Sequence, residues 1–424
     1  MTNRKGSENL DLHFLGKISV TNKIIFVNRF FYPDYSATSQ MLSDLAFGLA
    51  DKGMDVEVVS SSKAYQRRTA LKSAGGRIND VRVHRVWAPP VRGSRLLTRG
   101  ADYLIFYLLS FVKLLRILQR GDVVVAMTDP PMLDVVVGLA GWIKGAKTAH
   151  WMQDVFPEVA AELGFRSANG RLGKGLIRLR NTALRNSEVV VAIGNRMRSY
   201  LLFTGVDHER ISVIPNWIDD AVLYNDDEAV KELRKRWGLE GKFVVGYSGN
   251  LGRAHTYDSI LEAMQHFSDD RGVVFLWVGG GVLYEELKRK VSVLGLDNVI
   301  FKPYQDQKLL PASLRVPDCH VISLNRRLEG LIVPSKFYGV LAAGRPSIFI
   351  GDPQGELATE IRVANCGAVV DESDAEGLVD TINYLKNNPT CLEQQGKNAR
   401  ELFEERFTKG RAISQWYDLL RDIA

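Results

Sequence analysis

The sequence predicts an α/β protein made of two doubly wound domains that face each other across a cleft. Two observations predict the class: short β-branched runs alternate with helical patterns along the whole chain, and most of these runs are continuously apolar, as strands covered on both faces must be. A third predicts the duplication: the runs fall into two series, and 424 residues suit two cores of roughly 200 residues better than one.

The first series is Lys23–Asn28, Val56–Ser60, Val81–Val86, Val123–Met127, Thr148–Met152 and Val189–Ile193. Val81–Val86 alternates, with Arg82 and His84 between valines, and reads as an edge strand. The second series is Phe243–Ser248, Val273–Val278, Val299–Phe301, His320–Leu324, Ser347–Ile350 and Ala368–Val370. The break falls at Ile214-Pro215-Asn216-Trp217, where Pro215 and Asn216 punctuate a strand end. The expected organisation is a polar, flexible tail at 1–22, a first domain at 23–214, a second at 215–408 and a closing helix within 409–424. That helix carries Ile413, Trp416, Tyr417 and Leu420 at helical spacing, and packing back on the first domain would bury them.

Composition excludes several function classes. With 25% charged residues and a net charge of only +6, the chain reads as a globular protein that tolerates an anionic partner, and nucleic acid is not expected. Cys319, Cys366 and Cys391 lie far apart, without metal-ligand spacing, which points to a reducing compartment. Residues 1–22 lack the apolar stretch of a signal peptide. The run Tyr103–Val112 is shorter than the roughly 20 residues a membrane span takes. Asp226-Asp227 and Asp269-Asp270 sit in charged segments and read as solvated faces, so no metal or other cofactor is expected.

In open parallel sheets, ligands bind beyond the carboxyl ends of the strands. Four loops at such ends carry candidates. After the first strand, Ser36 and Ala37 open a helix, either as an ordinary capped turn or as an anion contact on the acceptor side. After Thr148–Met152 come Gln153 and Asp154, the latter a candidate catalytic carboxylate or a plain turn residue. After Phe243–Ser248, Gly249, Asn250 and Gly252 would let a diphosphate approach the backbone, with Arg253 and His255 as donors. Gly279-Gly280-Gly281 reads as turn chemistry. The fourth segment runs from Glu329 through Pro334-Ser335-Lys336 to Ala343-Gly344-Arg345-Pro346. A cation and a hydroxyl at a helix start suit a diphosphate, and Glu329 could accept hydrogen bonds from sugar hydroxyls. Absence of a GxGxxG pattern argues against a dinucleotide cofactor.

With these residues the chain resembles the family-4 retaining glycosyltransferases of the GT-B fold, in the branch that builds bacterial exopolysaccharides, capsules and O-antigens. The resemblance spans roughly residues 23–422 and rests on Ser248-Gly249-Asn250-Leu251-Gly252, on Pro334-Ser335-Lys336 with Ala343-Gly344-Arg345-Pro346, and on Gln153-Asp154-Val155-Phe156-Pro157-Glu158. It implies two Rossmann-like domains and transfer with retention from a UDP- or GDP-sugar. It also implies a polyprenyl-diphosphate-linked saccharide as acceptor and work at the cytoplasmic face of the membrane. Many members carry two glutamates eight residues apart; here Glu329 loosely matches the first, and the second falls on Gly339. Ribose recognition then passes to Tyr338 or to backbone. Asn250 and His255 stand where members place Arg and Lys, so the cationic role shifts to Arg253 and Lys336. On this reading Asp154, Glu329 and Lys336 are the catalytic group. Two other functions fit the same architecture: a sugar-nucleotide 2-epimerase, which needs no sugar acceptor, and a non-catalytic nucleotide-sugar-binding partner.

Two basic segments read either as amphipathic core helices with solvated basic faces or as a surface for an anionic membrane, which the family context favours. One holds Arg92, Arg95, Arg99, Lys113, Arg116 and Arg120; the other holds Arg166, Arg171, Lys174, Arg178, Arg180 and Arg185.

Overall fold

The structure, a computed structural model, describes residues 22–34, 36–62, 75–88, 96–165, 168, 170–219 and 226–424. The expected tail apart from Asn22 lies outside the described residues, as do Arg92, Arg95, Arg166 and the side chain of Arg99.

Two sheets organise the chain. The first has eight strands: β1 (Ile24–Val27), β2 (Val56–Ser61), β3 (Gly76–Ile78), β4 (Val81–Val86), β5 (Val123–Ala126), β6 (Lys147–Met152), β7 (Val189–Ala192) and β8 (Ile211–Val213), in spatial order β3-β4-β2-β1-β5-β6-β7-β8. The second has six: β9 (Phe243–Asn250), β10 (Val273–Gly280), β11 (Val299–Lys302), β12 (Cys319–Ser323), β13 (Ser347–Gly351) and β14 (Gly367–Asp371), in order β11-β10-β9-β12-β13-β14. Every pairing is parallel except β3 with β4. Both sheets are doubly wound, as continuous apolar strands require.

One strand assignment needs correction. β4 is not an edge: it pairs β2 on one side and β3 on the other. Its alternation has another cause. Arg82 and His84 both reach Glu57, the one acidic residue on the neighbouring β2, at 2.8 and 2.7 Å. The true edge is β3, only three residues long.

The chain crosses between the sheets twice, and the crossings lie side by side. The outward crossing follows Pro215; Ile218 on it bridges Thr408 on the return. Lys409 ties the pair with a 3.0 Å bond to Asp219. The last helix, Lys409–Ile423, then packs on the first sheet. Trp416 is fully buried there, 4.9 Å from the Trp151 ring and 6.5 Å from the Phe26 ring. Trp151 in turn stacks on Trp217 of the outward crossing at 5.5 Å. A single apolar cluster therefore runs from β1 through the hinge to Phe337 and Ala358 of the second sheet's helices.

Replacing Trp416 by Ala should cost about 3–5 kcal/mol, the range for a fully buried tryptophan. Equilibrium unfolding in urea checks this. A loss below about 1 kcal/mol, the level of an ordinary surface change, would mean that the last helix is not part of the first domain's core.

Candidate functional site

The carboxyl ends of both sheets meet in the cleft, and the loops at these ends touch. Asp154, just past β6, bridges Ile332, and the Val155 amide donates to the Leu331 carbonyl at 2.9 Å. The first-domain loop thus lies against the segment that leads into Lys336. A second contact closes the cleft. The Glu356 carboxylate accepts from the amides of Asn195 and Arg196 at 2.9 and 2.7 Å, so a second-domain acid caps the first-domain helix Asn195–Phe203. Nothing in the local sequence marked Glu356; its partner lies 161 residues away.

On the second-domain wall, Gly249 is the next-to-last residue of β9 and is held at φ +125°. A Cβ there would sit 3.1 Å from the Lys336 side chain, so glycine serves both the backbone angle and the approach of the lysine. Gly279 on β10 lies closer still: a Cβ would come within 2.1 Å of the Gly249 carbonyl oxygen. That cluster is indeed a packing requirement.

Lys336 Nζ lies 2.8 Å from His255 Nε2 and 5.4 Å from the centroid of the Tyr247 ring. His255 Nδ1 faces the Ser323 carbonyl at 2.5 Å. A carbonyl can only accept, so Nδ1 carries the proton, and Nε2 accepts from the ammonium. Burial, and then the Lys336 charge, pull His255 down to about 3. The imidazole is therefore neutral and acts as a positioning residue. Lys336 keeps partial access from the cleft, yet crowding by protein pulls its pKa down to about 7. Among the described residues no carboxylate forms a salt bridge with it. The helix it opens, Lys336–Ala342, has only seven residues, so the charge itself outweighs any dipole. Ser335 is exposed and makes no capping bond, and Pro334 is buried beside it.

The other predicted residues distribute unevenly. Asn250 is exposed at the end of β9, and Gly252 packs against it. Arg253 is exposed, its guanidinium 5.9 Å from the ring of Phe165 in the first domain. Glu329 is close by, but one oxygen accepts from the Glu356 amide at 2.8 Å and the other abuts Gly355. It holds the loop that carries the Glu356 clasp, and burial raises its pKa. Tyr338 is not brought to this cluster. It is buried at the hinge against Phe407, 5.0 Å between rings, because it lies on the helix face opposite the cleft. A Cβ at Gly339 would contact Ile218 and Leu314, so the missing second glutamate would have to enter that same apolar hinge.

In the first domain Ser36 caps its own helix, accepting from the Ser39 amide at 3.3 Å, and Ala37 is exposed. Gln153 is buried, and its amide is fully paired with that of Asn216 at 2.9 and 2.8 Å. Asp154 is exposed to the cleft but ringed by protein, and that crowding pushes its carboxyl up to about 6. Arg180 leaves the basic surface cluster altogether. It is buried and bonded to Glu158, Asn181 and the Phe156 carbonyl.

Known proteins match the chain in sequence and in fold. Residues 37–217 match the family described as Glycosyl transferase 4-like domain, and residues 229–402 match Glycosyl transferases group 1. The chain belongs to the family-4 glycosyltransferases of the GT-B fold. It is similar to a protein of Escherichia coli K12 named as the colanic acid biosynthesis glycosyl transferase WcaI, at 25% identity over 94% of this chain and 100% of that one. It is also similar to a protein of Pseudomonas aeruginosa named as the glycosyltransferase WbjE, at 26% identity over 79% and 83%. In fold it matches HepE of Anabaena, solved in complex with UDP-glucose, with a TM-score of 0.72 at 16% identity over 94% and 99%. The glycosyltransferase domains thus meet at the clasp just described.

Lys336→Met should stabilise the ligand-free enzyme, by an amount that shrinks as pH rises. The folded pKa of about 7 lies below the ordinary 10.5, so between them the unfolded chain holds the extra proton and wild-type stability climbs. The gain should be largest below about pH 7 and vanish near the ordinary lysine pKa. Thermal unfolding of both proteins across pH checks it; a gain independent of pH would mean the ammonium is not the strained species.

Proposed function

We propose that this glycosyltransferase moves a sugar, with retention at the anomeric carbon, from a UDP- or GDP-sugar to a polyprenyl-diphosphate-linked saccharide during cell-surface polysaccharide assembly. The observation that carries the reading is the Lys336 ammonium. It is crowded, aimed by His255, without a carboxylate partner among the described residues and set against Gly249 near the end of β9. A diphosphate supplies the missing counter-charge. The UDP-glucose complex of HepE supports the donor class, and the colanic acid role in WcaI's name supports the pathway class.

The chemistry asks the protein mainly to stabilise charge developing on the leaving diphosphate. Lys336 does this at close range and Arg253 from the rim, by electrostatic preorganisation. The diphosphate itself takes the acceptor proton, so no separate strong base is needed. Asp154 faces the reacting centre from the first domain. Closure through Glu356 and the Asp154–Ile332 bridge excludes water from the donor. No resident metal takes part.

Donor identity is found by thermal shift against a panel of nucleotide sugars. With the hit, Lys336→Met should lose about tenfold or more in affinity, the worth of one charge-assisted bond. Wild-type binding above about pH 7 should take up a proton, read by calorimetry in buffers of different ionisation enthalpy, and a chelator should change neither result. Unchanged affinity in the folded variant would remove Lys336 from the diphosphate site. Asp154→Asn should slow transfer at least tenfold while donor affinity stays within about twofold; parallel loss of both would make Asp154 structural.

The same reading places the first domain on the inner face of the membrane. Helices Leu96–Ile117, Leu133–Lys144 and Arg171–Arg185 pack side by side. They expose Leu104, Leu108, Trp142, Ile143 and Leu179 beside Arg116, Lys174 and Arg178. No helix among the described residues is long and apolar enough to cross a membrane. Apolar side chains would insert while each basic residue adds about 1 kcal/mol on an anionic surface. Vesicle sedimentation should show binding that grows with anionic lipid, weakens with salt and drops in Trp142→Ala; equal recovery in the supernatant at every composition would sink the membrane role.

A further inference from the structure

Beneath Asp154 the first domain contains a small cavity of mixed polar and apolar lining, and apart from Asp154 none of its residues enters the chemistry above. It lies between the sheet and the helix Leu133–Lys144, and its walls include Thr128, Asp134, His150, Asp154, Phe156 and Arg180. Asp154 is exposed, so the cavity's mouth is the interdomain cleft, beside the loop that leads to Lys336.

Three of its polar side chains have unsatisfied atoms. His150 is fully buried in the middle of β6, and neither ring nitrogen has a partner among the described residues. Asp134 is buried at the start of its helix, and its Oδ2 is likewise unpartnered. So is the Thr128 hydroxyl. Buried polar atoms left unpaired cost roughly 1–3 kcal/mol each, so three side chains orphaned around one cavity leave hydrogen-bonding capacity there for a guest to use.

The donor set defines what fits. Burial lowers His150 to about 4, so near neutrality it offers one N–H donor and one lone-pair acceptor. Asp134 Oδ2 accepts, and the Thr128 hydroxyl does either. Arg180 is the lone cation on the wall, and all five of its N–H groups are spoken for by Glu158, Asn181 and the Phe156 carbonyl. Two carboxylates with no free cation repel a phosphate or a carboxylate. An uncharged group that both donates and accepts is welcome. The enclosed free space is that of about one water molecule, so only the tip of a ligand enters. A hydroxyl or hydroxymethyl group has that size and that bonding pattern, and it can replace an ordered water bond for bond.

We propose that Thr128, Asp134 and His150 form a specificity pocket for one hydroxyl-bearing arm of the acceptor saccharide, whose ring rests at the mouth between Asp154 and Phe156. This rests on the reading above, in which the diphosphate of the donor is held by the second domain and the acceptor by the first. The two are separable, because the pocket touches no residue of the donor site.

The probes are the methyl glycosides of glucose, galactose, mannose and N-acetylglucosamine, each with its series of monodeoxy derivatives, added to the intact enzyme with the donor found by the panel. Two readouts are used: the imidazole 15N resonances of His150, and relative transfer or binding of parent against deoxy sugar. At least one glycoside should shift the His150 resonances, and one deoxy position should lose about tenfold or more against its parent, the worth of a hydrogen bond to a buried group. Thr128→Val and Asp134→Asn, both nearly isosteric, should erase that discrimination while donor affinity stays within about twofold. The inference is overturned if no glycoside up to its solubility moves the His150 signals, or if both variants keep wild-type discrimination. Loss of donor affinity in step with acceptor use also overturns it, since the cavity would then serve the fold. Failure here with Lys336→Met still losing the donor leaves the transferase reading intact; the reverse result removes the donor assignment and leaves the pocket.

Discussion

A crowded lysine ammonium that no carboxylate among the described residues pairs is the constraint on which the cleft wall of the second domain depends. Taking Lys336 out of bulk water is costly, as the fall of its pKa to about 7 shows, and the fold does not relieve it with an acid. It provides instead a neutral imidazole, an aromatic face and a glycine that lets the side chain lie along β9. Each of these aims the charge and none neutralises it. His255 is kept neutral first by its own burial and then by the Lys336 charge beside it. A site that stores an unpaired charge is poised for an anion, which is how binding energy becomes available at a leaving group.

The two domains are joined by polar bonds at the cleft and by an apolar side-chain cluster behind it. Asp154 and Ile332 pair as a bridge, and Glu356 takes two amides at the start of a first-domain helix. Such bonds are directional and exchange readily with water, whereas the hinge itself is apolar: Trp151, Trp217 and Trp416 stack behind the crossing strands. The permanent contact therefore lies at the back of the molecule and the exchangeable one at the front. Glu329 belongs to the front contact through its bond to the Glu356 amide.

Twelve of the strands were legible because each is four or more residues long and apolar, which leaves a period or a run to detect. β3 and β8 were not, since three residues carry no pattern. β4 misled for a specific reason: its polar residues answer a buried Glu57 on the neighbouring strand rather than solvent. The proximity of Lys336, His255 and Gly249 was legible because Gly249 and His255 lie at and just past the end of β9 and Lys336 opens the helix before β13, all at the cleft end of the second sheet. Tyr338 failed because two residues along a helix turn a side chain by about 200°, from the cleft into the hinge. Arg180 failed because a basic residue in a basic helix gives no local sign of a buried acid partner 22 residues away.

The sequence by itself determined the class, the duplication, the glycine turns and the cation at the end of the second sheet. All of these are local: they depend on periodicity, on backbone angles open to glycine and on residues within one loop. Only the tertiary structure decided which polar groups are spent on one another. It paired Gln153 with Asn216, spent Glu329 and Glu356 on closure, satisfied Arg180 completely and left His150, Asp134 and Thr128 unsatisfied around one cavity. Hydrogen-bond satisfaction is a property of neighbours in space, and those neighbours come from elements far apart in the chain, so no reading of local pattern can supply it.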